Sequence, residues 1–199
     1  MDQEISIIIP AYFNLDDFKL TLANALSQSK SAKEIIVIDS SKDDVIQNYI
    51  SGISDVHETK IIYVRSKEKL FPGAARNLGA SLAKSYWIAF LDSKTIPNSD
   101  WLKSTLETAI SCQADLVFGK TRYQACTTFQ FLLIASTYGY DPIITVPGTL
   151  ISREKFLLTR RFNAKVRSGE DIQWRADVSK NYFHTNANDE VALSYSSVP

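Results

Sequence analysis

The stretch ISIIIP, residues 5–10, opens a pattern of alternating strands and helices. Its β-branched residues form a short run that Pro10 closes, which is typical of a strand buried on both faces. Apolar residues at helical spacing follow it, namely Phe18, Leu22, Ala25 and Leu26. The turn between the two segments holds Asn14 and Asp16, which are suitable helix caps. This opening therefore predicts a strand followed by a helix.

The same alternation continues along the chain. Further strands are predicted at residues 34–38, 60–64, 86–91 and 114–118. One helix is expected to begin at Gly73, and another to begin after a cap at Ser99. Strands alternating with helices of this length indicate an α/β fold, with a mostly parallel central sheet between two helix layers. We expect one three-layer α/β/α domain over residues 1–199.

Composition narrows the class of function. The chain has 199 residues, and its 22 Lys and Arg balance 22 Asp and Glu. Proteins that wrap nucleic acid usually carry a basic excess, so no nucleic-acid partner is predicted. No apolar run approaches the ~20 residues that span a bilayer, and the acidic N-terminus is unlike a signal peptide. We expect a cytoplasmic protein in which Cys112 and Cys126 are buried, reduced thiols.

Two segments have unusual charge. Residues 123–152 contain one charged residue, Asp141, and residues 153–167 contain six basic residues against one acid, Glu154. A buried segment and a solvated helix face would account for them. Alternatively, the first segment contacts an apolar acceptor, a second copy of the chain or the inner face of a membrane, and the second serves anionic groups. Both interpretations stay open at this stage.

Polar residues follow three of the predicted strands, at residues 10–14, 39–41 and 92–94. In parallel sheets the carboxyl ends of the strands form the ligand-binding edge, so these residues predict a binding site there. Glu170 and Asp171 begin a further predicted helix, where acids favour the helix dipole and could also supply a catalytic base. The chain lacks GxGxxG after the first strand, a P-loop and a GxSxG elbow, which argues against a dehydrogenase, a P-loop NTPase and an α/β-hydrolase.

Five blocks carry a resemblance to a known family. They are SIIIPAYFN (6–14), EIIVIDSSKDD (34–44), PGAARNLGASLAKSYWIAFLDS (72–93), PGTLISREKF (147–156) and SGEDIQW (168–174). Together they resemble a family 2 glycosyltransferase with the GT-A fold. The resemblance implies an inverting enzyme that moves a sugar from a nucleotide-diphosphate donor to a hydroxyl of a glycan or glycolipid, in bacterial-type polysaccharide or glycolipid synthesis. The alternative is a catalytically degenerate GT-A domain that binds sugar nucleotides or regulates a partner.

The resemblance also implies roles for parts of the chain. Residues 1–119 would be the nucleotide-binding half and residues 120–199 the acceptor-binding half. The nucleotide pocket would contain Pro10, Ala11, Tyr12, Asn14, Asp39, Arg76, Asp92 and Ser93, with Asp39 on the base. Gly148 and Thr149 would lie beside the transferred sugar and the acceptor. Asp171 would be the general base with Glu170 next to it, and Trp174 would either stack on a sugar or pack in the core.

One departure from the family concerns the metal motif. The usual Asp-X-Asp reads Asp92-Ser93-Lys94 here, so only Asp92 remains as a ligand for Mg²⁺ or Mn²⁺, which prefer oxygen donors. Three interpretations follow: Lys94 pairs with the diphosphate in place of the metal, Asp92 binds a metal held mainly by the donor's phosphates, or the site is degenerate. Where many members place a late histidine, this chain has residues 193–196, LSYS.

Overall fold

Residues 3–53, 58–125 and 127–195 are described by the computed structural model of the chain. Within them, one sheet contains nine strands. The strands are β1 (Ile5–Ala11), β2 (Glu34–Asp39), β3 (Lys60–Arg65), β4 (Trp87–Phe90), β5 (Thr95–Ile96), β6 (Leu116–Tyr123), β7 (Ile143–Ser152), β8 (His184–Asn186) and β9 (Leu193–Tyr195). The helices are α1 (Leu15–Leu26), α2 (Val45–Ile53), α3 (Pro72–Leu82), α4 (Trp101–Ser111), α5 (Thr128–Leu133), α6 (Arg153–Leu158) and α7 (Glu170–Ser179). A π-helical turn, Ile134–Tyr138, extends α5, and a 3₁₀ turn covers Asp189–Val191.

The order of the strands determines where the ligand-binding edge lies. The sheet runs β3-β2-β1-β4-β7-β6-β9-β5, and β8 also pairs with β6. Strands β1 to β4 are parallel, whereas β7 is antiparallel to both β4 and β6. Strand β6 therefore points the same way as β1 and β4, and their carboxyl ends share one edge of the sheet. The prediction of a mostly parallel central sheet is confirmed, and the antiparallel β7 makes the sheet mixed.

Two apolar clusters cover the two faces of the sheet. Alternate residues of β1 enter different clusters, with Ile7 and Ile9 in one and Ile8 in the other, all fully buried. Side chains of α1, α2 and α4 complete the first cluster, and those of α3, α6 and α7 complete the second. This arrangement confirms the three-layer α/β/α architecture and the prediction that the first strand is buried on both faces.

Strand β7 was missed by the sequence pattern, because Pro147 and Gly148 interrupt it. Between the pairs Val117–Leu150 and Gly119–Thr145, β6 advances two residues and β7 five, so β7 bulges away from β6 around Pro147 and Gly148. Gly148 has a φ of +87°, and a Cβ on Gly119 would lie 2.2 Å from the carbonyl oxygen of Pro147. The hydroxyl of Thr149, in the bulge, accepts from Gly119 N at 2.9 Å and so gives this amide of β6 a hydrogen-bond partner. The backbones of β6 and β7 therefore approach each other closely at Gly119 and Gly148, where a side chain would not fit.

Some local expectations differ from the structure. The fifth predicted strand, 114–118, begins later and extends further, as β6 at Leu116–Tyr123. The cap position of α4 is Asp100 rather than Ser99, and its side chain makes no cap bond. Cys112 is exposed, so its predicted burial is wrong, and Cys126 lies outside the described residues. No helix in the described ranges is long and apolar enough to cross a membrane.

The low-charge segment 123–152 divides into two parts. Residues 145–152 of β7 are buried, as the first interpretation predicts. Residues 128–144 are mostly exposed, so burial is the wrong interpretation for them; α5 has no buried residue. In the basic stretch 153–167, α6 buries only Phe156 among its own residues, and Arg160 and Arg161 are exposed.

Candidate functional site

A cavity of about 350 Å³ opens at the edge of the sheet where β1 and β4 end. Six of its lining residues are among those that the sequence singled out, namely Pro10, Ala11, Tyr12, Asp92, Ser93 and Lys94. Ser40, from the predicted polar run 39–41, is a seventh. The other lining residues were not predicted as site residues, namely Lys69, Leu70, Phe71, Pro72, Ala75, Arg167 and Tyr195. The structure thus brings the polar ends of β1 and β4 together, as expected for parallel strands.

The charged side chains that line this cavity are mostly cations. Lys69, Lys94 and Arg167 are exposed around it, and among the described residues Asp92 is the one acid that lines it. The ammonium of Lys69 lies 4.5 Å from the centre of the Tyr12 ring, which holds that cation over the cavity mouth. This charge arrangement suits an anionic ligand such as a diphosphate.

A second cavity of about 530 Å³ adjoins the first and shares Tyr12, Ser40 and Lys69 with it. Asp39 lies beside this second cavity at the end of β2 and is completely buried. One carboxylate oxygen accepts from Ser41 N and the other from the hydroxyl of Tyr63, both at 2.8 Å. In this structure Asp39 therefore organises the turn after β2. Burial, then the hydrogen bond to Asp39 and the charges of Asp39 and Asp43, raise the pKa of Tyr63.

Arg76 on α3 connects the cavity to the start of α7. Its Nη2 donates to Asp92 Oδ1 at 2.6 Å and its Nη1 to Glu170 Oε1 at 3.0 Å, while 4% of the side chain is exposed. Burial lowers the pKa of the guanidinium, but the charges of Asp92 and Glu170 and their hydrogen bonds outweigh it, so the pKa lies above its usual value. Arg76 was expected to contact a nucleotide; here its donors reach two carboxylates.

The two adjacent acids at the start of α7 have different surroundings. Glu170 is 5% exposed and is held by Arg76. Asp171 is half-buried, and its carboxylate has no hydrogen-bond or ion-pair partner among the described residues. One helical turn later, Arg175 Nη1 donates to the carbonyl oxygen of Ile144 at 2.6 Å. Of the pair, Asp171 has the carboxylate that remains available to accept a proton.

Four other predicted site residues have structural roles here. Asn14 caps α1, accepting from Asp17 N at 3.2 Å, and does not line either cavity. Thr149 is completely buried, and Gly148 accepts from Trp101 Nε1 through its carbonyl oxygen at 3.0 Å. Trp174 is 1% exposed and packs against Phe162, with ring centroids 4.6 Å apart. Its burial rules out sugar stacking in this structure and favours the core-packing alternative.

The donor set near Asp92 does not fit a divalent cation held by protein side chains alone. One oxygen of Asp92 is engaged by Arg76, and the exposed ammonium of Lys94 lies two residues along the chain. Across the described ranges, no group of three or more His, Cys, Asp or Glu residues could hold a metal ion. Mg²⁺ requires several oxygen ligands, which this cluster does not supply.

Lys69, Arg167 and Tyr195 were not predicted as site residues. Tyr195 lies in the segment 193–196, for which the resemblance implied a histidine, and it stacks on Tyr123 with centroids 4.8 Å apart. Burial, followed by the charges of Asp92 and Tyr123, raises the pKa of Tyr195. Arg167 directly precedes the SGEDIQW block, which was the available signal for it. Nothing in the local sequence distinguishes Lys69 from its neighbour Lys67.

Comparisons with known proteins agree on one family. The family model described as Glycosyl transferase family 2 matches residues 6–166. The chain is 25% identical over 179 residues to chondroitin synthase of Escherichia coli, covering 89% of this chain and 24% of that protein. It is 38% identical over 89 residues to the Escherichia coli UDP-Glc:alpha-D-GlcNAc-diphosphoundecaprenol beta-1,3-glucosyltransferase WfaP, covering 45% and 34% of the two chains. The chain thus spans about a third or less of the length of these relatives.

Solved structures show the same fold. S. aureus TarS superimposes with a TM-score of 0.76 at 18% identity, covering 98% of this chain and 37% of that one. TarS 1-349 in complex with UDP-GlcNAc gives a TM-score of 0.75 at 16% identity, covering 98% and 59%. At this identity the likeness supports the GT-A type α/β fold.

Proposed function

Because this chain belongs to glycosyltransferase family 2, we propose that it is an inverting glycosyltransferase acting in bacterial-type polysaccharide or glycoconjugate synthesis. Its donor would be a sugar linked to a nucleoside diphosphate, and its acceptor a hydroxyl of a glycan or glycolipid. One observation carries the proposal: a cation-lined cavity at the sheet edge is linked, through Arg76, to the start of the helix that bears the available Asp171.

The chemistry of the proposal uses a single displacement. The Asp171 carboxylate takes the proton of the acceptor hydroxyl while that oxygen bonds to the anomeric carbon of the donor. The bond between this carbon and the diphosphate oxygen breaks on the opposite face, which inverts the configuration. Lys69, Lys94 and Arg167 would stabilise the negative charge of the departing nucleoside diphosphate.

Asp171→Asn tests the proposed base. Using the wild-type protein, we would first find a donor by measuring the thermal shift with UDP-, GDP- and TDP-linked sugars and CMP derivatives. The variant should keep the shift with that donor, because the amide preserves the shape of the side chain. Release of the nucleoside diphosphate should fall by about 10²-fold or more, the scale of general base catalysis.

Asp177→Asn, on the same helix, is the matched control and should release nucleotide at the wild-type rate. Undiminished release in Asp171→Asn would exclude this residue as the base. A wild-type protein that shifts with a donor but neither hydrolyses nor transfers it would favour the alternative, a degenerate domain that binds sugar nucleotides.

We also propose that Lys94 takes over the charge-stabilising role of a metal on the diphosphate. The support is its exposed position in the cavity next to Asp92, which Arg76 already engages. Nucleotide release should then persist in EDTA and fall roughly 10²-fold in Lys94→Ala, the scale of losing one preorganised charge contact. Lys103→Ala, an exposed lysine on α4, is the control. Loss of release in EDTA, restored by Mn²⁺, would instead favour a cation that arrives with the donor.

A further inference from the structure

The segment between β6 and β7 exposes an unusual number of large apolar side chains. We refer to residues 127–144 as the apolar hairpin. Its exposed apolar residues and their exposed fractions are Phe129 (73%), Phe131 (53%), Leu132 (61%), Tyr140 (56%), Ile143 (44%) and Ile144 (37%). The rings of Phe131 and Tyr140 lie 5.5 Å apart, so α5 contacts the loop that precedes β7. A clustered apolar surface of this kind marks an interaction site, since folding alone does not require it.

The apolar hairpin stands beside the proposed active site. Strand β6 points the same way as β1 and β4, so the hairpin leaves the sheet at the edge that holds the cavity. Four residues before the hairpin begins, Tyr123 at the end of β6 stacks on Tyr195, which lines the cavity. At its end, the carbonyl of Ile144 accepts from Arg175, one helical turn from Asp171. Both ends of the hairpin are therefore attached to residues of the site or its immediate neighbours.

Charge at this edge complements the apolar surface. The hairpin has one charged residue, Asp141. The two cavities at the same edge are lined by the exposed cations Lys42, Lys67, Lys69, Lys94 and Arg167, against the acids Glu68 and Asp92. Aromatic and leucine side chains next to a basic rim are the combination by which peripheral proteins bind anionic bilayers.

We propose that the apolar hairpin docks on a lipid bilayer that contains anionic lipids. Phe129, Phe131 and Leu132 enter the headgroup region, and Lys42 and Lys67, the exposed lysines that line only the second cavity, contact the lipid phosphates. The cavity then faces acceptors presented at that surface. Docking on the bilayer does not depend on catalysis. The statement that the cavity faces membrane-bound acceptors rests on the proposed function. A contact between two copies through the same apolar surface would make no use of the exposed Lys42 and Lys67 at this edge.

Vesicle co-sedimentation tests the docking. The protein should bind vesicles of phosphatidylcholine with about 30% phosphatidylglycerol more tightly than vesicles of phosphatidylcholine alone, and added salt should weaken the difference. The double variant Phe129→Ser/Leu132→Ser should lower the partition coefficient on the anionic vesicles by roughly tenfold or more, because two apolar side chains that would insert into the bilayer are replaced by polar ones. Ile110→Ser is the matched control, because Ile110 is 41% exposed near the end of α4, just before the amino end of β6 at the opposite edge.

The readouts separate docking from catalysis. Both variants alter exposed residues, so each should keep the wild-type melting temperature and the thermal shift with a donor nucleotide. No binding to anionic vesicles, or an equal loss in Ile110→Ser, would overturn the docking proposal, as would a dimer in sedimentation velocity that the double variant abolishes. Vesicle binding without any donor shift or nucleotide release would leave docking intact and count against the proposed function.

Discussion

The guanidinium of Arg76 has two carboxylate partners, and each belongs to a different part of the site. Asp92 follows β4 at the cavity, whereas Glu170 begins the helix that carries Asp171. Removing a buried charge partner leaves its counterparts uncompensated, which typically costs about 3–5 kcal/mol. Arg76→Ala should therefore strongly lower the free energy of unfolding measured in urea. Arg76→Lys should recover part of it, because an ammonium keeps the charge but lacks the planar fork that reaches both acids.

Lys33→Ala provides the comparison for Arg76. Lys33 pairs with Glu4, but the two side chains are 50% and 43% exposed, and exposed pairs contribute about 0–1 kcal/mol. The interpretation of Arg76 as a buried bridge fails if the two alanine variants are equally stable.

Among the site residues, the sequence alone predicted those whose positions the order and direction of the strands determine. Pro10, Asp92 and Lys94 could be placed together because parallel strands end at one edge. The bridge from Arg76 to Glu170 spans 94 positions of the chain, and only the packing of α3 beside α7 reveals it. For Trp174 the sequence left two alternatives open, since a helical position does not tell whether an aromatic ring faces the core or a ligand.

Helix α3 illustrates how closely an element can lie against the sheet. A Cβ placed on Gly79 would be 2.4 Å from Cγ2 of Ile8, in the middle of β1. Gly79→Ala should therefore destabilise the protein by about 1–3 kcal/mol through overpacking, although alanine is the better helix former. The midpoint of urea unfolding measures the effect.

Gly52 near the end of α2 is the matched glycine, since a Cβ placed there would meet no atom of the described residues within 4 Å. Gly52→Ala should leave stability unchanged or raise it by up to ~1 kcal/mol. Equal effects at Gly52 and Gly79 would contradict the close packing of α3 on β1.

Among the elements, periodicity predicted those with regular apolar patterns and missed those determined by tertiary contacts. The strands β1 and β2 are continuous β-branched runs and were predicted within a residue or two. Strand β7 contains Pro147 and Gly148, which normally argue against a strand, and it forms because these residues lie in a bulge of β7 while the segments on either side pair with β6. Short strands such as β5 and β8 carry too few residues to show a period.

The stability of the whole molecule should decline in alkaline solution, partly through Tyr63. Its raised pKa means that the folded protein keeps the phenol proton at pH values where the unfolded chain, with a tyrosine pKa near ~10, has lost it. Stability from this group is complete below pH ~10 and decreases as the pH rises further, because the unfolded state then binds fewer protons. Urea unfolding between pH ~9 and about 11.5 should show the decline.

Tyr63→Phe should flatten that decline, because the variant has no phenol to titrate at this position. At a pH of about 8 the same variant should be less stable than the wild type, since Asp39 loses the hydrogen bond that Tyr63 donates. If the free energy of unfolding of the variant follows that of the wild type at all pH values, Tyr63 does not contribute to the alkaline decline.

Pro10 at the end of β1 and Tyr195 in β9 line the same cavity. During synthesis on the ribosome, the polypeptide that forms β1 to β4 emerges long before β9 does. The cavity wall is then open on the side that Tyr195 covers, so a nascent chain lacks the complete pocket until its late segment has emerged. Under the proposed function, ribosome-stalled chains of increasing length should show an abrupt gain of donor binding once β9 has emerged and can fold against the cavity.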